Sequence, residues 1–116
     1  MEQNKFEDIL LNVKEKTHAL ETKLPHLTKH YYSFTESAFK PDELDAKTKQ
    51  LMALSIAVYT HDRYCIVYHA KGAVDQKATE QEVLEAIGVA VGLGGGAAWS
   101  QAVTFAHDAY LHFVSK

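Results

Sequence analysis

One cysteine, two prolines, one tryptophan and a single arginine are what this chain of 116 residues has least of. Each scarcity excludes something. The lone Cys65 cannot close a disulfide within the chain, so no disulfide framework holds the fold, and any thiol chemistry needs a partner from outside. The same lack fits a reducing compartment. No apolar run approaches the ~20 residues of a spanning helix, and Met1-Glu2-Gln3-Asn4-Lys5 lacks the apolar core of a signal peptide. The expected location is cytoplasmic, away from membranes. Neither sign of charge is in excess: the formal net charge is −3, with Lys and Arg scattered along the chain, which gives no reason to expect nucleic acid or an anionic surface as partner. Hydrophobic residues at 47% against 23% charged are an ordinary soluble balance, and a chain of this length buries about two thirds of its unfolded surface.

Sparse punctuation makes the order of helices readable. Phe6, Ile9, Leu10 and Val13 recur at helical spacing and continue to Leu20 and Leu24, with Glu and Lys between them. That predicts an amphipathic helix over residues 5 to about 22. Pro25 stops it and suits the first turn of a second helix carrying Leu27, Tyr31, Phe34 and Ala38. The aromatics Tyr31, Tyr32, Phe34 and Phe39 read as core or oligomer-interface residues before they read as a ligand-stacking platform. Asp45 is placed to cap a third helix that runs through Gln50, Leu54 and Val58 to about Thr60. Its half from Leu51 to Tyr59 carries no charge, so burial on every side, by neighbours or partner subunits, is expected.

His61-Asp62 then breaks the apolar run and opens a fourth helix that ends near Gly72 to Asp75. Thr79 and Glu82 form a capping box for a fifth, with Val83, Ile87, Ala90 and Val91 as its inner stripe. Gly92-Leu93-Gly94-Gly95-Gly96 lacks the lysine and hydroxyl of a phosphate loop and follows no strand, so it reads as a helix-to-helix connection. A last helix from Ala97 to about Val114 turns Trp99, Val103, Ala106, Tyr110 and Phe113 or Val114 inward and leaves His107 and His112 at the surface. The fold class is all-α, a single domain over residues 1–116 with about six helices and no internal repeat. The apolar excess of the third helix, together with the aromatics of the second, predicts a homo-oligomer.

The chemistry concentrates in His61-Asp62-Arg63-Tyr64-Cys65-Ile66-Val67-Tyr68-His69. On a helix Cys65 and His69 are four apart and share a face, and an imidazole beside a thiol favours the reactive thiolate. Cys65 also falls in the first turn, where free N–H groups favour an anion, while Asp62 as N-cap competes for those donors and repels one.

The run Tyr64-Cys65-Ile66-Val67-Tyr68-His69-Ala70, followed by Gly72-Ala73 and by Thr79-Glu80-Gln81-Glu82-Val83, resembles the carboxymuconolactone decarboxylase family, and within it the alkylhydroperoxidase D-like redox branch. That branch carries a CxxC and a histidine four residues after the second cysteine. Cys65 falls on the second cysteine, His69 on the histidine, and Asp62 on the first cysteine. Upstream, Ala46-Lys47-Thr48-Lys49-Gln50-Leu51 matches the family's Lys-Thr-Lys-Glu-Leu signature, with Gln50 where a proton-relaying glutamate usually stands. The resemblance covers roughly residues 30 to 105. It implies an alkylhydroperoxidase D-like helical bundle that works without a cofactor and assembles as a trimer or hexamer.

The activity implied is a thiol-dependent peroxidase with peroxiredoxin-type antioxidant function and a single cysteine. Cys65 would be the nucleophile and His69 its base or thiolate partner, with Gln50, Asp62, Tyr64 and His61 as pocket or relay residues. Asp62 cannot resolve a sulfenic acid, so an external thiol reductant is expected. Two other readings stay open. One is a cofactor-free decarboxylase that uses the histidine on a carboxylated lactone, for which Arg63 is the only arginine available. The other is a ligand-binding oligomer that has lost its catalytic residues. The substrate expected is a small molecule, peroxide or lactone. His61, Asp62, Cys65 and His69 are acceptable zinc ligands, yet no second Cys/His cluster stands elsewhere in the chain, so no metal is expected.

Overall fold

The computed structural model describes residues 5–116. Residues 1–4, which enter the signal-peptide expectation, lie outside them. Seven helical segments follow in order: α1 (Lys5–Glu21), α2 (Pro25–Phe39), α3 (Ala46–Thr60), α4 (Arg63–Asp75), α5 (Glu80–Gly94), α6 (Gly96–Gln101) and, after a π turn at Ala102–Ala106, α7 (His107–Val114). Helix α6, the π turn and α7 continue one another as a single rod, so the described residues form an all-α bundle of six rods. No helix of the described residues is long and apolar enough to cross a membrane.

The boundaries follow from local chemistry. Asp45 Oδ1 accepts from Thr48 N at 2.8 Å and starts α3, and Asp62 Oδ1 accepts from Cys65 N at 3.1 Å and starts α4. At α5 the box is reciprocal: Glu82 N donates to Thr79 Oγ1 at 3.1 Å while Thr79 N donates to Glu82 Oε1 at 2.9 Å. His61 ends α3 in the left-handed region with φ 59°, its N–H reaching back to Ala57 and Val58. Gly95 ends α5 at φ 67°, where a side chain would strain the backbone, and a Cβ at Gly94 would fall 2.8 Å from that of Ala98. The break there is a single residue, since α5 runs through Gly94 and α6 starts at Gly96.

Helices α3 and α5 run side by side in the same direction. Lys47 Nζ meets Glu82 Oε2 at 2.8 Å near their starts, and Tyr59 lies against Gly94 near their ends. Between these helices, α4 and the last rod sits the core, whose largest fully buried side chains are Phe105, Leu54, Ile66, Val58, Val67 and Val83. Helix α1 is pinned across it by Phe6, edge-on to Phe105 at 5.3 Å, and by Glu7, whose Oε2 lies 2.7 Å from His112 Nε2.

One chain by itself leaves much of α3 and α2 uncovered. On α3, Leu54, Ala57 and Val58 are buried, whereas Met52, Ile56 and Tyr59 are about half exposed, because α4 and α5 cover only one flank. The aromatics of α2 do not fill the core. Phe34 is 70% exposed and Tyr31 60%, and only Phe39 turns partly inward.

In the last rod the inward stripe is displaced at its start. Ala98 and Ala102 are buried where Trp99 and Val103 were expected, while Ala106, Tyr110 and Phe113 agree. The π turn accounts for the offset. Its extra residue per turn lets the 98/102 stripe join the 106/110 stripe, which a uniform period of 3.6 residues does not anticipate. The same rod buries His112 instead of leaving it at the surface, since its ring packs against Phe6 and Phe113 while Glu7 satisfies its nitrogen.

Candidate functional site

Three helices converge on His69. It lies on the part of α4 that faces α3 and the end of α2, and it is half-buried. From α3, Gln50 Oε1 stands 2.9 Å from His69 Nδ1. An amide oxygen only accepts, so Nδ1 carries the proton and Nε2 keeps its lone pair. From α2, Phe39 stacks on the imidazole with centroids 5.3 Å apart and planes 13° from parallel. From α4 itself, Tyr68 meets the ring edge-on at 5.1 Å, and Tyr64 lies 5.7 Å from Tyr68.

The carboxamide of Gln50 can reach His69 because residue 72 is glycine. A Cβ there would fall 2.2 Å from Gln50 Oε1 and 2.6 Å from its Cδ. Gly72 has no unusual backbone angle and is needed for close approach alone.

The electrostatics separate the two candidate catalytic residues. Cys65 is half-buried against the core, and its thiol is pushed up to about 11, first by burial, then by Asp62 as hydrogen-bond acceptor and as negative charge. The opposition between helix terminus and cap is resolved in favour of the cap: Asp62 occupies the Cys65 N–H and places a carboxylate beside the sulfur. At neutral pH the thiol is protonated. His69 is pushed below its ordinary value by burial, only partly offset by Asp62, and is a neutral imidazole at pH 7. Tyr64 is pushed up to about 12, chiefly by burial, and keeps its hydroxyl proton.

Of the residues expected at the site, Gln50 meets His69 at the middle of α4, Tyr64 connects to His69 through Tyr68, and Cys65 sits in the first turn with its N–H capped by Asp62. His61 serves instead as the left-handed terminus of α3, with its side chain exposed. Among the described residues no group of three or more His, Cys, Asp or Glu is placed to hold a metal. Sequence reasoning missed Phe39 as the cover of His69, and Gly72 as the seat of Gln50. Neither is signalled by spacing, because both contacts join residues of different helices.

Arg63 also finds a definite place, away from the site. Its guanidinium stacks over Phe105 at 4.1 Å, on the flank of α4 that faces the π turn.

Two outcomes follow from these environments. Iodoacetamide alkylation of native Cys65 should be slow at pH 7 to 8, with a midpoint above that of a free thiol. Asp62→Asn should bring the midpoint down without reaching the ordinary value, since burial remains; a wild-type midpoint below 8 would contradict the geometry. The depressed His69 has its own consequence for stability. Protonation is penalised only in the folded state, so stability is full above about pH 6.5 and falls as pH drops through the folded value, by at most about 1.4 kcal/mol per pH unit. Urea unfolding between pH 7.5 and 5 should show this slope in the wild type and a smaller one in His69→Gln.

Comparison with known proteins bears on the family and the fold. Residues 25–108 match the model of the carboxymuconolactone decarboxylase family. The apo crystal structure of a carboxymuconolactone decarboxylase family protein from Legionella pneumophila superposes with a TM-score of 0.91 at 32% identity, covering 96% of this chain and 98% of that one. A family protein from Thermotoga maritima, whose description connects it, as a possibility, with an antioxidative response, shares the fold with a TM-score of 0.76 at 23% identity, over 91% of this chain and 87% of that one. A curated relative from Paracoccus denitrificans, named for its position in a cox locus, is 38% identical over 72 residues, which is 62% of this chain and 65% of that relative's length. With this match and the shared helical architecture, the chain belongs to the carboxymuconolactone decarboxylase family.

Proposed function

We propose that the protein binds an uncharged, largely apolar small molecule at His69 and that neutral His69 acts there as proton acceptor, without a cofactor and without a resting thiolate. The observation that carries this reading is the 2.9 Å Gln50–His69 hydrogen bond, which leaves Nε2 as a base. A glutamate at position 50 would stabilise imidazolium, whereas the amide of Gln50 leaves the ring neutral.

The preference for an uncharged ligand rests on where the nearby cations are engaged. Arg63 lies over Phe105, Lys47 pairs with Glu82, and Lys49 donates to backbone carbonyls. The aromatic rings of Phe39, Tyr68 and Tyr64 supply apolar contact instead. The chemistry then resembles the decarboxylase branch in using the histidine, on a substrate less acidic than a carboxylated lactone.

A second reading, the one-cysteine thiol peroxidase, is favoured by Cys65 and His69 sharing one face of α4. It requires the thiol to be activated on substrate binding, with peroxide oxidising the sulfur to a sulfenic acid and an external thiol reducing it.

The test compares wild type, Cys65→Ser and His69→Gln on cumene hydroperoxide with dithiothreitol and on a carboxylated muconolactone alongside its uncharged methyl ester. Abstraction of a ring proton from the ester, read as its exchange for solvent deuterium, that survives Cys65→Ser and is lost by at least about 100-fold in His69→Gln supports the proton-acceptor reading. Peroxide consumption lost in Cys65→Ser would replace it with the peroxidase. If the wild type turns over none of the three, and Asp62→Cys with Gln50→Glu gains peroxide turnover, the natural protein is a binder that has left the redox chemistry.

The exposed apolar side chains supply an assembly reading as well. Tyr31, Phe34, Ile56 and Leu93 are each 60% exposed or more, and a homo-oligomer would cover them. Light scattering after size exclusion should give a mass of at least two chains, and Phe34→Glu should reduce it; a monomer at micromolar concentration would end this reading.

A further inference from the structure

The Lys-Thr-Lys signature at the start of α3 is not used by the chemistry above, and the structure shows what each lysine holds. Lys47 and Lys49, two residues apart, point to opposite sides of the helix. Lys47 reaches Glu82 and ties α3 to α5. Lys49 Nζ donates to the carbonyl of Ala38 at 3.0 Å and to that of Lys40 at 2.7 Å. Those two carbonyls flank Phe39, the residue whose ring lies flat on His69.

Helix α2 has little else to hold it. Thr28 is its only buried residue, and the other side-chain hydrogen bonds on it, Thr28 to Leu24 and Thr35 to Tyr32, stay within the local chain. Among the described residues, Lys49 is the only side chain of another element that donates to the backbone of α2, and it makes no ion pair with a carboxylate. A surface groove lined by Ser37, Phe39, Lys40 and Pro41 runs along this end of the helix, so Phe39 separates His69 from an open surface. An ammonium between two terminal carbonyls is also well placed against the negative end of α2.

We propose that Lys49 is a positioning residue of the site: by bridging the carbonyls on either side of Phe39 it fixes the aromatic wall over His69. Without that bridge the end of α2 is free to move, Phe39 leaves the imidazole, and water enters. The proposal rests on His69 being the working residue of the site. Its readout, however, needs no substrate, so it stands or falls separately from the turnover assays.

The experiment follows the His69 imidazole by NMR titration in the full chain, for wild type, Lys49→Met, Lys49→Arg, Lys47→Met and Phe39→Leu. Loss of the cover removes the burial that holds His69 low, so Lys49→Met should raise its midpoint by about half a pH unit or more, a roughly threefold change in proton affinity. Phe39→Leu should raise it similarly with the tie intact. Lys49→Arg, which can still donate to both carbonyls, should restore the wild-type midpoint. Lys47→Met, which breaks the other tie of the same helix, should leave it in place.

An unmoved midpoint in Lys49→Met, or an equal shift in Lys47→Met, overturns the proposal and leaves Lys49 as an ordinary helix-end stabiliser. So does loss of helical circular dichroism in Lys49→Met, because a positioning role requires the fold to survive the change. In that event Phe39→Leu reports separately whether the ring covers His69 at all.

Discussion

The Gln50–His69 hydrogen bond constrains more of this molecule than any other single contact at the site. It joins α3 to α4, the pair at the middle of the bundle, and it exists because position 72 leaves room for an amide where a methyl group would collide with it. The bond sets the tautomer of the imidazole, and the tautomer sets which nitrogen is available to a ligand. Phe39 then covers one face of the ring. Burial, to which the stacked ring contributes, holds this histidine below its ordinary value and uncharged at neutral pH.

The same few residues explain why the cysteine and the histidine, four apart on one helix, have opposite readiness. A helix start offers free N–H groups to an anion, but α4 gives the one at Cys65 to the Asp62 side chain. Burial raises the thiol and the adjacent carboxylate raises it further, whereas burial lowers the imidazole toward its useful neutral form. Desolvation penalises whichever form is charged, so one environment silences an acid that must lose a proton and prepares a base that must be without one. Where the family carries a cysteine at position 62 and a glutamate at position 50, this balance would tip the other way.

Much of the architecture was legible in the linear chain. Asp45, Asp62 and the Thr79/Glu82 box mark helix starts because a capping side chain acts on N–H groups two or three residues away, which is local information. Pro25 and Gly95 mark boundaries through their own backbone preferences. Periodicity gave the inner stripe of α5 and the second half of the last rod, and misplaced Trp99 and Val103 because a π turn changes the period in mid-helix without an obvious residue signal. His112 was legible as a histidine but not as a buried one, since its partner Glu7 lies 105 positions away in sequence.

Sequence by itself determined the all-α class, the helix starts, and the placing of Cys65 and His69 on one face of α4, all consequences of interactions within a turn or two of chain. Tertiary structure alone decided that Gln50 faces His69 across Gly72, that Phe39 covers the ring, that Lys49 holds Phe39, and that Arg63 belongs to Phe105. Each of those contacts depends on the distance and rotation between helices. Helix spacing is set by the whole core at once, and no local pattern of residues encodes it.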